Sequence, residues 1–288
     1  MNPSIAYLGP PGTYTEAATL AYADSLQQSQ GFSCHLTPKA TIAQTLQAAA
    51  AGEVAYAVVP VENSIEGGVT VTLDTLWQLD RLQIHQALVL PITHSLISRA
   101  SNWEKITKVY SHPQALAQCQ GWLAKQLPQA ELVATQSTSE AVLHTRQEPM
   151  VAAVASVRAA QLYELPVLAQ AINDYPENCT RFWVLSTQES NYGSHTSLAF
   201  SLPANVPGAL LKPLQVFASR GINLSRIESR PTKLALGEYL FFIDLEADSH
   251  QSSVQSALEE IRGYTEVLKL FGSYDVLPVP PTMPQAST

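Results

Sequence analysis

The sequence predicts an α/β protein in which a two-lobed domain is followed by a smaller, ferredoxin-like domain. Three observations lead to this fold class. Apolar, strand-like runs alternate with capped helix patterns through the first 185 residues, as is typical of α/β domains. A long extended run over 83–98 can connect two lobes. From about residue 195 the predicted element order changes to βαββαβ, which is the order of a ferredoxin-like sandwich.

Capping residues mark the helix starts in the first part of the chain. Thr13 and Glu16 have capping-box spacing ahead of an apolar helix pattern over 17–26. The same spacing recurs at Thr41 and Gln44, at Ser111 and Gln114, and at Ser137 and Glu140. We expect a helix to begin at each of these pairs, because the hydroxyl can accept a hydrogen bond from a backbone N–H group of the first turn.

Apolar runs lie between these helix starts and predict buried strands. The strands are expected at 5–9, 54–61, 84–90, 109–110, 150–155 and 167–172, with a further helix over 70–79. Continuous apolar runs of this kind favour a parallel sheet that is covered on both faces.

Pro91 interrupts the extended run over 83–98, so this segment is either one bent strand or a crossing between two lobes. The crossing is favoured, because loops rich in polar groups lie on both sides of the run and would face each other across a cleft. The second lobe is then expected to cover about 85–170, within a first domain that covers 1–188.

The C-terminal part of the chain has a different pattern. Strands are predicted at 196–202, 222–229, 238–245 and 267–274, and helices at 207–219 and 252–261. These elements form a domain over 195–275, which a polar, glycine-containing linker joins to the first domain. The Pro-rich tail over 276–288 is expected to be disordered.

The composition is that of an ordinary globular protein. The 288 residues, of which 46% are hydrophobic, are enough for two domains, and the sequence contains neither a transmembrane apolar run nor a signal-peptide pattern. We therefore expect a cytoplasmic protein. The net charge of −8 without a basic run argues against nucleic acid or membrane partners. The three cysteines lie far apart, which predicts neither a disulfide framework nor a metal site.

The chemically most informative stretch is 178–185, where Thr180, Arg181 and Phe182 precede an apolar, strand-like run. A hydroxyl can donate to a leaving oxygen, a guanidinium can clamp a carboxylate, and an aromatic ring can form one wall of a pocket. For this triplet alone, the better interpretation is structural, with Arg181 in a surface ion pair and Phe182 in the core.

Three other segments share this polar, loop-like character. The four together are YLGPPGTYTEAA at 7–18, PVENSIEGG at 60–68, SHPQALAQC at 111–119 and NCTRFWVL at 178–185. They resemble the signature segments of prephenate dehydratases, and the segment over 208–231 is similar to the ACT regulatory domain of these enzymes. Five segments in the same order make the resemblance specific. It implies a catalytic domain with a fold like that of periplasmic binding proteins. The implied activity is the conversion of prephenate to phenylpyruvate, CO2 and water, without a metal or cofactor.

The resemblance also implies a set of site residues. The expected catalytic residues are Thr180, Arg181, Glu62, Asn63 and Gln114, and the expected substrate-binding residues are Thr13, Ser64, Gly67, Ser111 and Phe182. Thr180 would donate a hydrogen bond to the departing ring hydroxide, since its hydroxyl does not titrate near neutral pH. Arg181 would clamp one of the two substrate carboxylates, and backbone N–H groups at helix starts would hold the other.

For three residues that lie within these segments, alternative roles remain open. Glu62 either orients its loop, which is the favoured alternative, or donates to the substrate as a neutral acid. His112 could act as an acid or base, although a first-turn position in a helix explains it better. Cys179 is expected to pack rather than to react, because the reaction needs no covalent intermediate.

In the ACT segment, the resemblance implies that phenylalanine binds between paired domains of a homodimer or homotetramer. The expected contacts are Gly208, Ala209, Leu210, Asn223, Leu224, Glu228, Ser229 and Arg230. Spacing alone favours ordinary structural roles for these residues. Whether phenylalanine would inhibit or activate is open.

Two other functions also remain open. An arogenate dehydratase would accept an amine where prephenate has a keto group, and an acidic partner for that amine would distinguish it. A non-catalytic sensor of aromatic amino acids could use the same cleft and the same ACT domain, although the presence of Thr180 beside Arg181 argues against it.

Overall fold

In the computed structural model, which describes residues 2–190 and 192–280, two β-sheets organise the described chain. One sheet has ten strands and is shared by the first lobe and the C-terminal domain, and the other has five strands and forms the second lobe. The predicted fold class, two α/β lobes followed by a ferredoxin-like domain, is confirmed.

The first lobe contains the N-terminal elements. They are β1 (Ser4–Leu8), α1 (Tyr14–Gln30), β2 (His35–Lys39), α2 (Ile42–Ala50), β3 (Tyr56–Asn63), β4 (Gly67–Gly68), α3 (Thr70–Gln78) and β5 (Gln83–Pro91). Strand β1 pairs in parallel with both β2 and β3. Apolar residues of these strands are buried under α1, α2 and α3, since the sheet is covered on both faces.

The second lobe follows without a break. It comprises β6 (Ser95–Ile97), a 3-10 turn (Trp103–Lys105), β7 (Lys108–Ser111), α4 (Pro113–Ala117), α5 (Gln120–Gln126), β8 (Glu131–Ala134), α6 (Thr138–Gln147), β9 (Val151–Ala155), α7 (Val157–Leu162) and β10 (Val167–Ala169). Its strand order is β10-β6-β9-β7-β8. The chain then returns to the first sheet as β11 (Cys179–Ser186), which lies between β5 and β3.

The crossing between lobes that the sequence predicts within 83–98 is confirmed. Strand β5 ends at Pro91 in one sheet, and β6 begins at Ser95 in the other. Hydrogen bonds join this first crossing to the return crossing: Ile92 N–H donates to the Asn178 carbonyl at 2.8 Å, and Ile172 N–H donates to the His94 carbonyl at 3.0 Å. The two crossings therefore run side by side between the lobes.

The expectation of parallel sheets is only partly correct. Strand β11 pairs antiparallel with both β3 and β5, because the chain re-enters the first sheet from the second lobe in the opposite direction. In the second lobe, β6 pairs antiparallel with β9 and β10, whereas β7 pairs in parallel with β8 and β9. Both sheets are mixed.

Three of the four predicted helix caps are confirmed. The hydroxyls of Thr13, Thr41 and Ser137 accept hydrogen bonds from the N–H groups of Glu16, Gln44 and Glu140. The prediction for Ser111 is wrong. Ser111 ends β7 and its buried hydroxyl donates to the Val154 carbonyl, so His112 caps α4 instead and Pro113 occupies the first helical position.

The C-terminal domain has the predicted element order. Its elements are β12 (His195–Ser201), α8 (Leu211–Ser219), β13 (Leu224–Pro231), β14 (Tyr239–Leu245), α9 (Ser252–Ile261) and β15 (Val267–Pro278). The sheet order β13-β14-β12-β15 is antiparallel throughout, and α8 and α9 share a core with it. Helix α8 begins later than predicted, after a turn in which Gly208 has a φ of 80°.

The expectation of a disordered tail from 276 is wrong for its first residues. Strand β15 continues to Pro278, and its last four residues pair in parallel with β5 from Gln86 to Val89. This pairing joins the C-terminal domain to the first lobe in one sheet. Residues 281–288 of the predicted tail lie outside the described residues. None of the helices within 2–190 and 192–280 is long and apolar enough to cross a membrane.

Candidate active site

A cavity of about 870 Å³ lies between the two lobes. The first lobe contributes the β1–α1 loop and the segment from Glu66 to Val71, and the second lobe contributes the starts of α4 and α6. Thr180 and Phe182 of β11 line it as well. A cavity of this size is in the range of small-molecule sites.

Four helix N-termini reach the cavity wall. The residues that precede α1, α3, α4 and α6 are Thr13, Val69, His112 and Ser137, and all four line the cavity. Among the described residues that line it, none is a lysine or an arginine. An anion in this cavity would therefore be held by helix N–H groups, amides and hydroxyls, each helix terminus contributing about 0.3–1 kcal/mol.

A chain of hydrogen-bonded side chains leads from Thr180 into the space between the lobes. Asn63 Nδ2 donates to Thr180 Oγ1 and to Asn178 Oδ1, both at 2.9 Å. Asn178 Nδ2 donates to Gln118 Oε1 at 2.9 Å, and Gln118 Oε1 lies 3.1 Å from His94 Nε2. This hydrogen-bonded series thus joins side chains of both lobes and both crossings.

These hydrogen-bonded side chains determine where the hydrogen of the Thr180 hydroxyl can point. The N–H groups of Ile65 and Glu66 donate to Asn63 Oδ1, at 3.0 and 3.1 Å, so the Asn63 NH2 group must face Thr180. Thr180 Oγ1 accepts from Asn63, and within residues 2–190 and 192–280 it donates no hydrogen bond of its own. The Thr180 hydrogen is therefore free to be donated into the cavity.

Of the residues expected to form the site, Thr13, Asn63, Gly67, Gln114, Thr180 and Phe182 line the cavity. Phe182 is only 1% exposed, so its ring also belongs to the core of the first lobe, as the structural interpretation had it. The remaining four residues, Arg181, Glu62, Ser64 and Ser111, do not line the cavity.

The expectation that Arg181 clamps a substrate carboxylate does not fit this geometry. Side chains alternate along a strand, so Arg181 faces away from the cavity that Thr180 and Phe182 line. Its Nη1 lies 3.3 Å from Asp244 Oδ2 in the C-terminal domain and 3.7 Å from Glu62 Oε2. Glu62 lies on the same side because it is in register with Arg181. Both residues contribute to an interface between domains.

Ser64 and Ser111 have structural hydrogen bonds instead of cavity positions. Ser64 Oγ accepts from Cys179 N–H at 3.0 Å, which ties the loop after β3 to the start of β11. Ser111 is fully buried and donates to Val154. Neither hydroxyl is available to a ligand in the cavity.

Tyr14, which the sequence places with Thr13 in the first anion-binding loop, also lines the cavity. Sequence reasoning did not select His94 and Gln118, which line it, or Asn178, which lies directly behind it in the hydrogen-bonded chain. Gln118 follows Gln114 by four residues, and this helical spacing could have indicated it. His112 also lines the cavity, caps α4 through Nδ1, and has a pKa lowered by burial, which the charge of Glu66 partly offsets.

Burial of His94 makes the stability of the fold depend on pH. Burial lowers the pKa of His94 to about 4, partly offset by the hydrogen bond to Gln118, while the unfolded chain keeps a value near 6.5. The unfolded state binds the proton more readily than the folded state. The free energy of unfolding therefore has its full value, as far as His94 is concerned, above pH ~6.5 and falls by on the order of 3 kcal/mol toward pH ~4. Urea unfolding of the protein and of His94→Gln across this range would measure it. An equal pH dependence in both proteins would contradict the assignment to His94.

The residues expected to bind an effector lie in two different surroundings. Arg230 pairs with Asp74 of α3 through two contacts of 3.0 and 3.1 Å, and the Glu228 carboxylate lies against Gly68. These side chains of β13 thus contact the first lobe beside the cavity.

Other residues of the expected effector site lie away from the first lobe. Asn223 donates to Glu246 at 2.7 Å within the C-terminal domain, and a Cβ at Gly208 would meet open space. Effector binding by this set stays a prediction.

Comparisons with known proteins match most of this chain. The prephenate dehydratase family model matches residues 5–190, and the ACT domain model matches 196–263. A prephenate dehydratase of Lactococcus lactis is 39% identical, covering 94% of this chain and 97% of its own. The structure of a prephenate dehydratase from Arthrobacter aurescens in complex with L-Phe has a TM-score of 0.84 at 36% identity, covering 94% of this chain and 90% of that one.

A solved structure with a different name is also similar. A protein described as a novel type of quorum quenching acylase has a TM-score of 0.80 at 27% identity, covering 95% of this chain and 98% of that one. The family model spans well over half of the residues, and the Lactococcus lactis relative is matched over nearly its whole length. The chain therefore belongs to the prephenate dehydratase family.

Proposed function

We propose that the cavity between the lobes binds prephenate and converts it to phenylpyruvate, CO2 and water. The observation that carries this proposal is the Thr180 hydroxyl, which is held by Asn63 with its hydrogen free toward a cavity lined by four helix N-termini. The ring hydroxyl of prephenate leaves during the reaction, and a donor at that position assists its departure.

The chemistry needs few strong groups. The bond between the ring and its carboxylate breaks, the released electron pair forms the third double bond of the aromatic ring, and hydroxide departs from the opposite ring carbon. A hydrogen-bond donor to a leaving group is typically worth about 10²–10⁴-fold in rate. Since aromatisation favours the products, the neutral hydroxyl of Thr180 is a sufficient donor.

Helix termini supply the anchors for the two carboxylates of the substrate. Helix α3 has no side-chain cap, so the N–H groups of Thr70 and Val71 at the cavity wall are available to an anion. The start of α4 carries Gln114, whose side chain also reaches the cavity. These groups replace Arg181 as the anchors, and they act through geometry rather than through net positive charge.

Turnover of purified protein tests the proposal directly. Incubation with prephenate at neutral pH should yield phenylpyruvate and CO2 in equal amounts. Thr180→Val, prepared in parallel, is the control for contaminating activity and for spontaneous decomposition of prephenate. Equal yields from the two proteins would refute the proposed reaction.

Arogenate is the second candidate substrate, and one observation favours it. Glu66 and Glu140 line the cavity, and a carboxylate there could pair with the amine of arogenate. The Glu140 carboxylate already accepts the N–H of Gln136 at 3.0 Å, which leaves Glu66 as the freer group. The ratio of kcat/KM for prephenate and arogenate decides between them, and Glu66→Gln should lower only the value for arogenate.

Acyl transfer, the chemistry named for one structural relative, is less well supported by this cavity. A nucleophilic hydroxyl needs an adjacent base to activate it. Thr180 is hydrogen-bonded to the Asn63 amide rather than to an imidazole, and the pKa of Cys119 is raised to about 12 by burial and by the charge of Asp174. A donor role for Thr180 agrees better with these surroundings.

We also propose that phenylalanine binds to the ACT domain and changes turnover, as the L-Phe complex of the Arthrobacter aurescens relative suggests. The route to the active site would run through Arg230 of β13 and Asp74 of α3, because the first turn of α3 lines the cavity. Lys233 also contacts Asp74, at 2.7 Å. Burial alone would raise the pKa of Asp74, but the hydrogen bonds from Arg230 and Lys233 outweigh it and lower the pKa.

Asp74→Asn separates effector binding from its effect on turnover. The change lies in the first lobe, so phenylalanine should bind with nearly unchanged affinity, measured by calorimetry. Its effect on kcat/KM should fall several-fold, because the charge that joins α3 to β13 is lost. Asp24→Asn, which alters an exposed carboxylate of α1, is the control. A full phenylalanine effect in Asp74→Asn would exclude this route.

The number of chains and the compartment belong to the same proposal. Effector binding between paired ACT domains requires at least a homodimer, and light scattering would distinguish a dimer from a tetramer. A biosynthetic enzyme of this kind would act in the cytoplasm.

A further inference from the structure

His94 lies in the first crossing between the lobes and is only 2% exposed. Its backbone is fixed from the return crossing, since its N–H donates to Asn173 Oδ1 at 2.6 Å and its carbonyl accepts from Ile172 N–H at 3.0 Å. The position of the imidazole is thereby fixed relative to both crossings. The chemistry described above gives this ring no task.

The ring nevertheless bridges the two lobes. Nδ1 lies 3.0 Å from the hydroxyl of Tyr14, the first residue of α1, and Nε2 lies 3.1 Å from Oε1 of Gln118, which ends α4. The Tyr14 and His94 rings pack edge to face, with centroids 5.6 Å apart. One buried side chain thus contacts a first-lobe residue and a second-lobe residue that both line the cavity.

The hydrogen-bonded chain determines which atom of each amide donates. Backbone N–H groups fix Asn63 Oδ1 as an acceptor, so Asn63 Nδ2 donates to Asn178 Oδ1. Asn178 Nδ2 must then donate, and Gln118 Oε1 accepts from it. Because Gln118 Oε1 carries no hydrogen, the contact with His94 requires a proton on Nε2.

The same assignment leaves the NH2 group of Gln118 available. Its nitrogen has no hydrogen-bond partner among residues 2–190 and 192–280, and Gln118 lines the cavity. A group in this position can donate to an oxygen of the substrate. If Nε2 of His94 lost its proton, its lone pair would face Gln118 Oε1, and turning the carboxamide over would relieve this contact only by breaking the hydrogen bond from Asn178. The Nε2–H group and the Asn178 NH2 group thus together hold the Gln118 oxygen.

We propose that His94 is a positioning residue, whose Nε2–H holds the Gln118 carboxamide with its NH2 group toward the substrate while its ring packs against Tyr14 of the opposite lobe. The proposal rests on the proposed dehydratase activity for its kinetic consequences. Burial keeps the ring neutral near pH 7, with a pKa lowered to about 4, so the Nε2–H tautomer is the form that acts.

Two substitutions of His94 test the positioning role. His94→Leu removes both ring nitrogens at similar volume and should lower kcat by about 10–100-fold, since a displaced substrate-binding group costs up to that much. His94→Gln can place an NH2 donor near the position of Nε2 and should recover most of the loss. Thermal unfolding of each variant shows whether it is folded. Equal losses in two folded variants would overturn the proposal.

A double-mutant cycle separates positioning from general destabilisation. If His94 acts through Gln118, His94→Leu should cause no further loss of kcat in a Gln118→Ala background. Multiplying losses would overturn the proposal. Should His94→Leu not fold, His94→Asn replaces it in the cycle, because its shorter amide cannot reach Gln118.

The tautomer is readable without any turnover. In protein labelled with 15N-histidine, the nitrogen chemical shifts of His94 should be those of a neutral ring with hydrogen on Nε2 at pH 7. A ring with hydrogen on Nδ1 alone would overturn the proposal even in an active enzyme. Absence of turnover of prephenate and arogenate by the unaltered protein would instead refute the proposed function and leave the tautomer result standing.

Discussion

Thr180→Val is expected to lower kcat with prephenate by about 10²–10⁴-fold, which is the usual contribution of a donor to a leaving group. Valine has nearly the shape of threonine, so the change removes the hydroxyl and little else. Asn63 Nδ2, which loses Thr180 as an acceptor, keeps Asn178 Oδ1 at 2.9 Å and the Cys179 carbonyl at 3.2 Å. No buried donor is left without a partner, and the fold should be retained.

Thr180→Ser is the matched control for this prediction. Serine keeps a hydroxyl that can accept from Asn63 and donate into the cavity, so kcat should stay within about tenfold of the unaltered protein. KM should change little in Thr180→Val, because the hydroxyl acts mainly on the departing oxygen in the transition state. A near-normal kcat for Thr180→Val would remove Thr180 from the mechanism.

The contrast between Thr180 and Arg181 shows what sequence pattern can and cannot predict. Strand alternation predicts that residues 180 and 182 share one face and that 181 has the other. Which face borders the cavity depends on the strands beside β11 and on the C-terminal domain beyond them. The C-terminal partner of Arg181 is Asp244, 63 residues away in the chain, and no local pattern could have indicated it.

The helix caps show the same limit at shorter range. Thr13, Thr41 and Ser137 act as predicted, since a cap involves only residues within one turn. Ser111 has the same spacing, but its hydroxyl bonds to Val154 in the neighbouring strand β9, 43 residues away. Local signals predicted the capped helices and the buried strands, but not β2 and β8, whose residues are exposed or half-buried. The cavity lining depends on how the two lobes meet.

The second large effect is expected at Asp244, at the interface between the domains. This carboxylate is 1% exposed and contacts Arg181 of the first lobe at 3.3 Å and Arg226 of β13 at 3.5 Å. Ser197 donates to its other oxygen at 2.6 Å. Burial alone would lower the pKa of Arg226, but the charge of Asp244 and the hydrogen bond to Glu228 outweigh it and raise the pKa. Asp244 is the anion that both guanidiniums share, although Arg226 also pairs with Glu228 at 2.8 Å.

Asp244→Asn should therefore destabilise the protein by about 3 kcal/mol, the low end of the cost of breaking a buried ion pair, because Arg226 and Arg181 lose their shared anion and keep only Glu228 and Glu62. For a chain of this size, the corresponding drop in Tm is on the order of 10 °C. Glu259→Gln is the control, since its ion pair with Arg262 is exposed on both sides and contributes at most about 1 kcal/mol. Differential scanning calorimetry without ligand measures both variants.

A double variant of Asp244 and Arg181 also decides the role of Arg181. If Arg181 belongs to the domain interface, Arg181→Met should partly restore the Tm that Asp244→Asn loses, because one partly buried cation that has lost its main counter-charge disappears. A substrate anchor would behave differently: Arg181→Met would raise KM for prephenate and leave the Asp244→Asn defect unchanged. Recovery of Tm in the double variant, together with a KM close to that of Asp244→Asn alone, is the expected outcome. The reverse pattern would return Arg181 to the active site.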